Sequence, residues 1–142
     1  MNKVFRNKSL APDAYLGYVD FDGKVYETRL GPDKYVGRVE LDTGKIYESR
    51  LGPDKYLGRV QLDTGKIFDH KPGAPDDYLG QVDSEGKFYR HKPLARDEYI
   101  GQIEGTNAYA LGGAAFRLLV WPLLKAETAE AEQADAGDEA AG

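Results

Sequence analysis

In Tyr35-Val36-Gly37-Arg38-Val39-Glu40 the residues alternate as they do along a half-buried strand: positions 35, 37 and 39 share one face, positions 38 and 40 the other. Equivalent stretches start at Tyr15, Tyr56, Tyr78 and Tyr99, each reading tyrosine, aliphatic, glycine. The position of Arg38 varies through Tyr18, Arg59, Gln81 and Gln102, which marks solvent. The position of Val39 is always Val or Ile, which marks core. The pattern therefore predicts the tyrosines on the core face with their hydroxyls bonded at the rim. Val36 and its equivalents are always aliphatic, so the second face is expected to be partly covered at that end.

A second, shorter strand follows each of these. Lys3, Lys24, Lys45, Lys66 and Lys87 recur every 21 residues. Each precedes an apolar–aromatic pair: Val4-Phe5, Val25-Tyr26, Ile46-Tyr47, Ile67-Phe68 and Phe88-Tyr89. A fixed period of this length signals a repeat architecture. The joints fit hairpins. Asp22-Gly23 and Glu85-Gly86 suit two-residue turns, and Asp42-Thr43-Gly44 and Asp63-Thr64-Gly65 suit three-residue loops ending in a left-handed glycine with a bulge. Pro12-Asp13, Pro32-Asp33, Pro53-Asp54, Pro75-Asp76 and Arg96-Asp97 form the links between units.

A lone hairpin is marginal in water. An open stack needs polar end caps, and the first and last copies are as apolar as the middle ones. The expected fold is all-β, a closed ring of five pseudo-symmetric β-hairpins. Its repeats lie near 3–22, 24–43, 45–64, 66–85 and 87–106, with an apolar segment at 107–124 packed on the ring. The chain opens with only the second strand of a hairpin, so Lys3–Arg6 is expected to pair with Tyr99–Glu104. The alternative is that Asn107–Leu111 completes the fifth hairpin locally.

Charge adds little to the ring. The net charge is −5, but Ala126–Gly142 holds six acidic residues and no basic ones, so removing that −6 leaves about +1 for the rest. A nearly neutral domain exerts little pull on nucleic acid or anionic membranes. Residues 125–142 are expected to be a disordered, Ala-rich acidic tail after at most a short helical start. There is no cysteine, which excludes disulfides and thiolate chemistry and leaves the compartment unmarked by redox usage; the N-terminus lacks an apolar leader, so a cytoplasmic location is expected. The run Ala110–Leu124 is 15 residues long and interrupted by Arg117 and Pro122, short of the about 20 needed to span a bilayer.

The Tyr-aliphatic-Gly-x-Val strand, the Asp-x-Gly-Lys turn, the five copies and Gly112-Gly113-Ala114-Ala115 running into leucines together resemble the five-fold β-flower repeat proteins, small bacterial proteins. The resemblance covers about Lys3–Leu124. It implies a ring of hairpin petals, no assigned enzymatic activity and no functional residues to carry over.

Four residue sets invite chemistry. His70 and His91 occupy equivalent places, but Lys71 and Lys92 beside them make a poor cation site. Asp13, Asp33, Asp54, Asp76 and Asp97 could ring an axial cation, yet each sits where a turn-forming aspartate belongs. The five lysines could ring a phosphate or an acidic glycan, yet Asp22, Asp42, Asp63 and Glu85 lie two or three residues before four of them, so cross-strand charge pairing is expected. Tyr15, Tyr35, Tyr56, Tyr78 and Tyr99 could form a stacking platform for a glycan or a small cation. No nucleophile is paired with a base, and there is no Walker loop or dinucleotide fingerprint.

The sequence thus points to a non-catalytic structural or interaction module without metal or cofactor. The candidate contact residues are those five tyrosines with Phe116 and Trp121. A homo-oligomer or protein partner would dock through Phe116–Leu124. The alternatives are a ligand-binding module with equivalent sites between hairpins, and membrane association through the same apolar segment.

Overall fold

The computed structural model describes residues 1–141, with side chains described as far as Ala131. Ten strands form a closed antiparallel barrel. They are β1 (Asn2–Arg6), β2 (Ala14–Val19), β3 (Lys24–Glu27), β4 (Lys34–Val39), β5 (Lys45–Glu48), β6 (Lys55–Val60), β7 (Lys66–Asp69), β8 (Asp77–Val82), β9 (Lys87–Arg90) and β10 (Glu98–Glu104). Each strand pairs with its sequence neighbours, and β1 seals the barrel against β10 with Val4 opposite Ile103 and Arg6 opposite Gly101. The fifth hairpin is therefore shared between the two ends of the barrel sequence, as expected. Asn107–Leu111 does not complete it; Tyr109 instead opens a helix.

Every inter-hairpin pair carries a bulge at the same place. Val25 faces Gly37 and Tyr26 faces Tyr35, so Val36 is the extra residue. Leu16, Leu57, Leu79 and Ile100 are its counterparts. One extra residue reverses the side-chain alternation. This corrects the expectation for the tyrosines. Gly37 and Val39 face inward as predicted, but Tyr35 faces outward with Tyr26, and the bulged aliphatic turns in. The glycine is required because a Cβ at position 37 would run into the Tyr47 carbonyl oxygen, and the other four copies repeat that approach. The turn glycines Gly23, Gly44, Gly65 and Gly86 have positive φ, as read from the sequence. The turns are one residue longer than predicted, closing through Asp20 N–H to the Lys24 carbonyl and Glu40 N–H to the Lys45 carbonyl, both 2.9 Å.

Ten inward residues, Val4, Val25, Ile46, Ile67 and Phe88 from the odd strands and Val19, Val39, Val60, Val82 and Ile103 from the even ones, line the lumen, each at most 4% exposed. The C-terminal segment fills it. Helix α1 (Tyr109–Ala115) touches β2, β4, β6 and β8, four of the five even strands, and six of its seven residues are buried. Contacts around so much of the ring put α1 inside the barrel. A π-helical turn, Phe116–Val120, continues into α2 (Trp121–Ala141).

The composition of α1 follows from the lumen. A Cβ on Gly113 would collide with Val60, and one on Gly112 would lie 2.8 Å from Val82 Cγ2. Two adjacent glycines would weaken an exposed helix by about 1 kcal/mol each relative to alanine. Here they let the helix backbone reach the barrel wall. Phe116 is fully buried and meets Phe88 edge-on, with ring centres 6.0 Å apart.

The acidic segment, expected to be disordered from Lys125, continues as helix to Ala141, and Gly142 lies outside the described residues. Alanine and glutamate are strong helix formers. The helix is also already nucleated by the buried Leu124 and the packed Trp121.

The tight fit of α1 sets a sign. Gly112→Ala would stabilise an exposed helix, whereas here it should destabilise the protein by about 1–3 kcal/mol. Val82→Ala in the same chain should recover part of that loss, because the clash is mainly with the Val82 methyl groups. Urea unfolding of the two single variants and the double variant measures the coupling.

Candidate functional site at the loop end of the barrel

The outer wall holds the predicted tyrosines, and they are already engaged. Five equivalent cross-strand pairs encircle the barrel: Phe5–Tyr15, Tyr26–Tyr35, Tyr47–Tyr56, Phe68–Tyr78 and Tyr89–Tyr99, with ring centres 5.4–5.8 Å apart. Arg38 lies over Tyr47 at 4.3 Å and Arg59 over Phe68 at 4.6 Å. His70 packs on Tyr56 and His91 on Tyr78. The ring faces a flat sugar would need are thus partly taken by neighbouring cations and imidazoles.

The linker aspartates stand against this wall rather than on the axis. Asp54 accepts from Arg38 Nε at 3.1 Å, and Asp76 lies 3.5 Å from Arg59 Nε and 3.4 Å from His70 Nδ1. Asp97 lies 3.3 Å from His91 Nδ1. Each aspartate reaches back to the preceding petal. Among the described residues no three His, Asp or Glu side chains gather as a metal site. Of the turn lysines, Lys87 forms an ion pair, with Glu85 at 3.3 Å. Lys24 and Lys45 instead face Arg38 and Arg59 across the strands, which departs from the charge pairing expected for them.

The end of the barrel that carries the linkers is built differently. The last residues of the odd strands, Arg6, Glu27, Glu48, Asp69 and Arg90, follow two positions after the inward Val4, Val25, Ile46, Ile67 and Phe88. They form a charged tier around the mouth. The bulged aliphatics form a second, apolar tier. The helical segment answers one side of both. Arg117 Nε donates to Asp69 Oδ1 at 2.6 Å, Glu127 accepts from Arg6 Nη2 at 3.0 Å, and Arg90 lies 5.9 Å from the Trp121 ring centre. Leu57, Leu79 and Ile100 are buried beneath it.

On the other side the mouth stays open. Leu16 and Val36 are only half-buried, and Glu27 and Glu48 pair merely with Arg29 and Arg50 two residues along their own chain. Two adjoining cavities of about 330 and 210 Å³ lie there, sharing Glu27, Leu118 and Pro122. Val36, Leu57 and Leu16 supply the floor, and Lys34 and Arg117 reach the edge. Arg117 and Leu118 belong to the π-helical turn, a rare geometry that recurs at functional sites. Of the sequence candidates on this segment, Phe116 is buried in the lumen, Trp121 is half-buried and Leu123 is 39% exposed. The apolar side chains of Phe116–Leu124 are thus largely spent inside the barrel. Among the described residues no helix is long and apolar enough to cross a membrane.

Four leucines missed by the sequence reading stand on the linkers around this mouth. Leu10, Leu30, Leu51 and Leu94 are each as exposed as in an extended chain, 104–108%. Leu10 and Leu94 also have φ of 60° and 63°, where the equivalent positions hold Gly31, Gly52 and Gly73. Their signal was visible: a leucine inside a turn rich in Pro, Gly and Asp has nothing local to pack against.

Burial first, and then the Asp97 carboxylate, raises the Tyr78 phenol above its ordinary pKa; Tyr35, Tyr56 and Tyr99 follow the same rule with burial first and Asp54, Asp76 and Asp13 next. The folded state thus favours the neutral phenol. That contribution is fully present below the unfolded phenol pKa of about 10 and is lost as pH climbs through the raised folded value. Asp97→Asn should bring one phenol down towards its ordinary range in an absorbance titration, and Tyr78→Phe should remove that same phenol.

A scan of family models, a search of the curated proteins and a search of the solved structures each find no match to this chain.

Proposed function

We propose that the chain is a non-catalytic protein-interaction module of the five-fold β-flower kind, and that its contact face is the loop end of the barrel. The observation that carries this reading is the set of four fully exposed leucines around one rim. Each leucine left in water forgoes roughly 1.5–3 kcal/mol of burial. Leu10 and Leu94 also hold a left-handed backbone that costs a non-glycine residue about 1–2 kcal/mol. Glycine serves the same backbone position in three sister linkers, so the fold does not need leucine there. Residues kept against local stability around one mouth are what a contact surface requires. The open cavity beside Leu118 extends the same face inward. The charged groups at its edge, Arg117 with Asp69 and Glu27 with Arg29, are held in ion pairs suited to recognition.

Two measurements test the reading. Leu94→Gly should raise stability by up to about 1 kcal/mol, the relief of left-handed strain less the entropy cost of glycine, while weakening the contact. A photoreactive side chain at position 51 should give a discrete protein adduct in cells, and one at position 24, on the opposite end, should not. Equal labelling from both ends, or none from position 51, would remove the loop end as a contact face.

A further inference from the structure

Three features of the mouth fit one another when two copies face each other. The first is α2, which leaves the barrel off-centre. Its Glu127 is bonded to Arg6 at the end of β1, and its Trp121 lies by Arg90 at the end of β9, so it leans over the β9–β10–β1 side. The second is the open trough, walled by residues of β2 to β6 and so on the opposite side of the ring. The third is the ring of exposed leucines around both.

The charges match as well. The segment Ala126–Gly142 holds six carboxylates and no basic residue. Beyond Leu124 it has no large apolar side chain with which to bind its own barrel. Bridging between two bodies is one of the few roles open to a helix without an apolar face. The lip of the trough carries Arg29, Lys34, Arg50 and Lys55, with Glu27, Asp33, Glu48 and Asp54 among them. Arg29 and Arg50 pair with those two glutamates at 3.2 and 3.5 Å. Lys34 and Lys55 form no ion pair among the described residues. Lys34 and Lys55 are therefore the cations of the lip left to meet the carboxylates of the projecting helix.

We infer that the loop end is an isologous interface, and that the partner is a second copy of this chain. A two-fold axis through the mouth lays each acidic α2 over the trough its partner leaves open. Leu30 and Leu51, beside that trough, and Leu10 and Leu94, flanking the exit of α2, are covered in the same step. A two-fold contact requires one face to hold both halves of the match, and this face does. The inference rests on the reading of the loop end as a contact face and adds the identity of the partner.

Light scattering on the full chain across a concentration series tests it. The expected mass at high concentration is twice the 15.7 kDa of one chain. Leu30→Ser with Leu51→Ser should give the single-chain mass with an unchanged far-ultraviolet spectrum, because both side chains lie in solvent in the isolated fold. Lys34→Glu with Lys55→Glu should weaken association, as should Glu130→Lys with Glu132→Lys. All four changes together should restore it, a recovery that loss of folding cannot mimic. A single-chain mass at every concentration overturns the inference, and so does a dimer indifferent to both the leucine and the charge changes. Adducts from position 51 to a different protein, with a monomeric chain, would sink the self-partner and leave the contact face standing. No adducts and no dimer would sink both.

Discussion

The structure depends on how closely a helix backbone can approach the inside of a ten-strand wall. Valine and isoleucine line the lumen in two layers, and Gly112 and Gly113 bring α1 against Val82 and Val60 with no side chain between them. Interiors pack at crystal-like density, so neither a gap nor an added methyl is neutral here. The ring needs something in its middle, because an unfilled lumen would leave its apolar lining without packing partners. The helix in turn needs the ring, since a glycine-rich helix of seven residues would not persist alone. Neither part is a stable object without the other.

The five bulges perform a second task within this arrangement. By inserting one residue per petal they turn an aliphatic inward at the loop end, while sending tyrosine to the outer wall. The barrel thus offers a ring of five aliphatics and a ring of five charges to one helix, which can cover only one side of them. A five-fold wall around a single off-centre rod leaves an uncovered sector. The trough is that sector, and its place follows from the partners of Arg117, Trp121 and Glu127.

Much of the barrel was legible in the sequence. The 21-residue spacing, the turn glycines and the missing first strand before Lys3 fix the strand order and the pairing of Lys3–Arg6 with Tyr99–Glu104. The facing of Tyr35 was not legible, because simple alternation carries no mark of a bulge. Gly37, whose Cβ would strike the opposing carbonyl, was the one local hint. The helical course of Ala110–Leu124 was also hidden, since paired glycines argue against a helix unless a surrounding wall is known. The open sector of the mouth was harder still. The charged tier of Arg6, Glu27, Glu48, Asp69 and Arg90 recurs at the repeat spacing, but one-dimensional spacing does not tell which members a helix will answer.

The seal between β1 and β10 has a consequence for how the protein is made. Strand β1 must wait for β10, made about a hundred residues later, before either has its full set of partners. The growing chain therefore carries two raw strand edges until β10 is made, and the plug that fills the lumen comes after β10. Closure of so long a loop is entropically slow. Ring and plug thus acquire their shape together, in one condensation that waits for both β10 and α1.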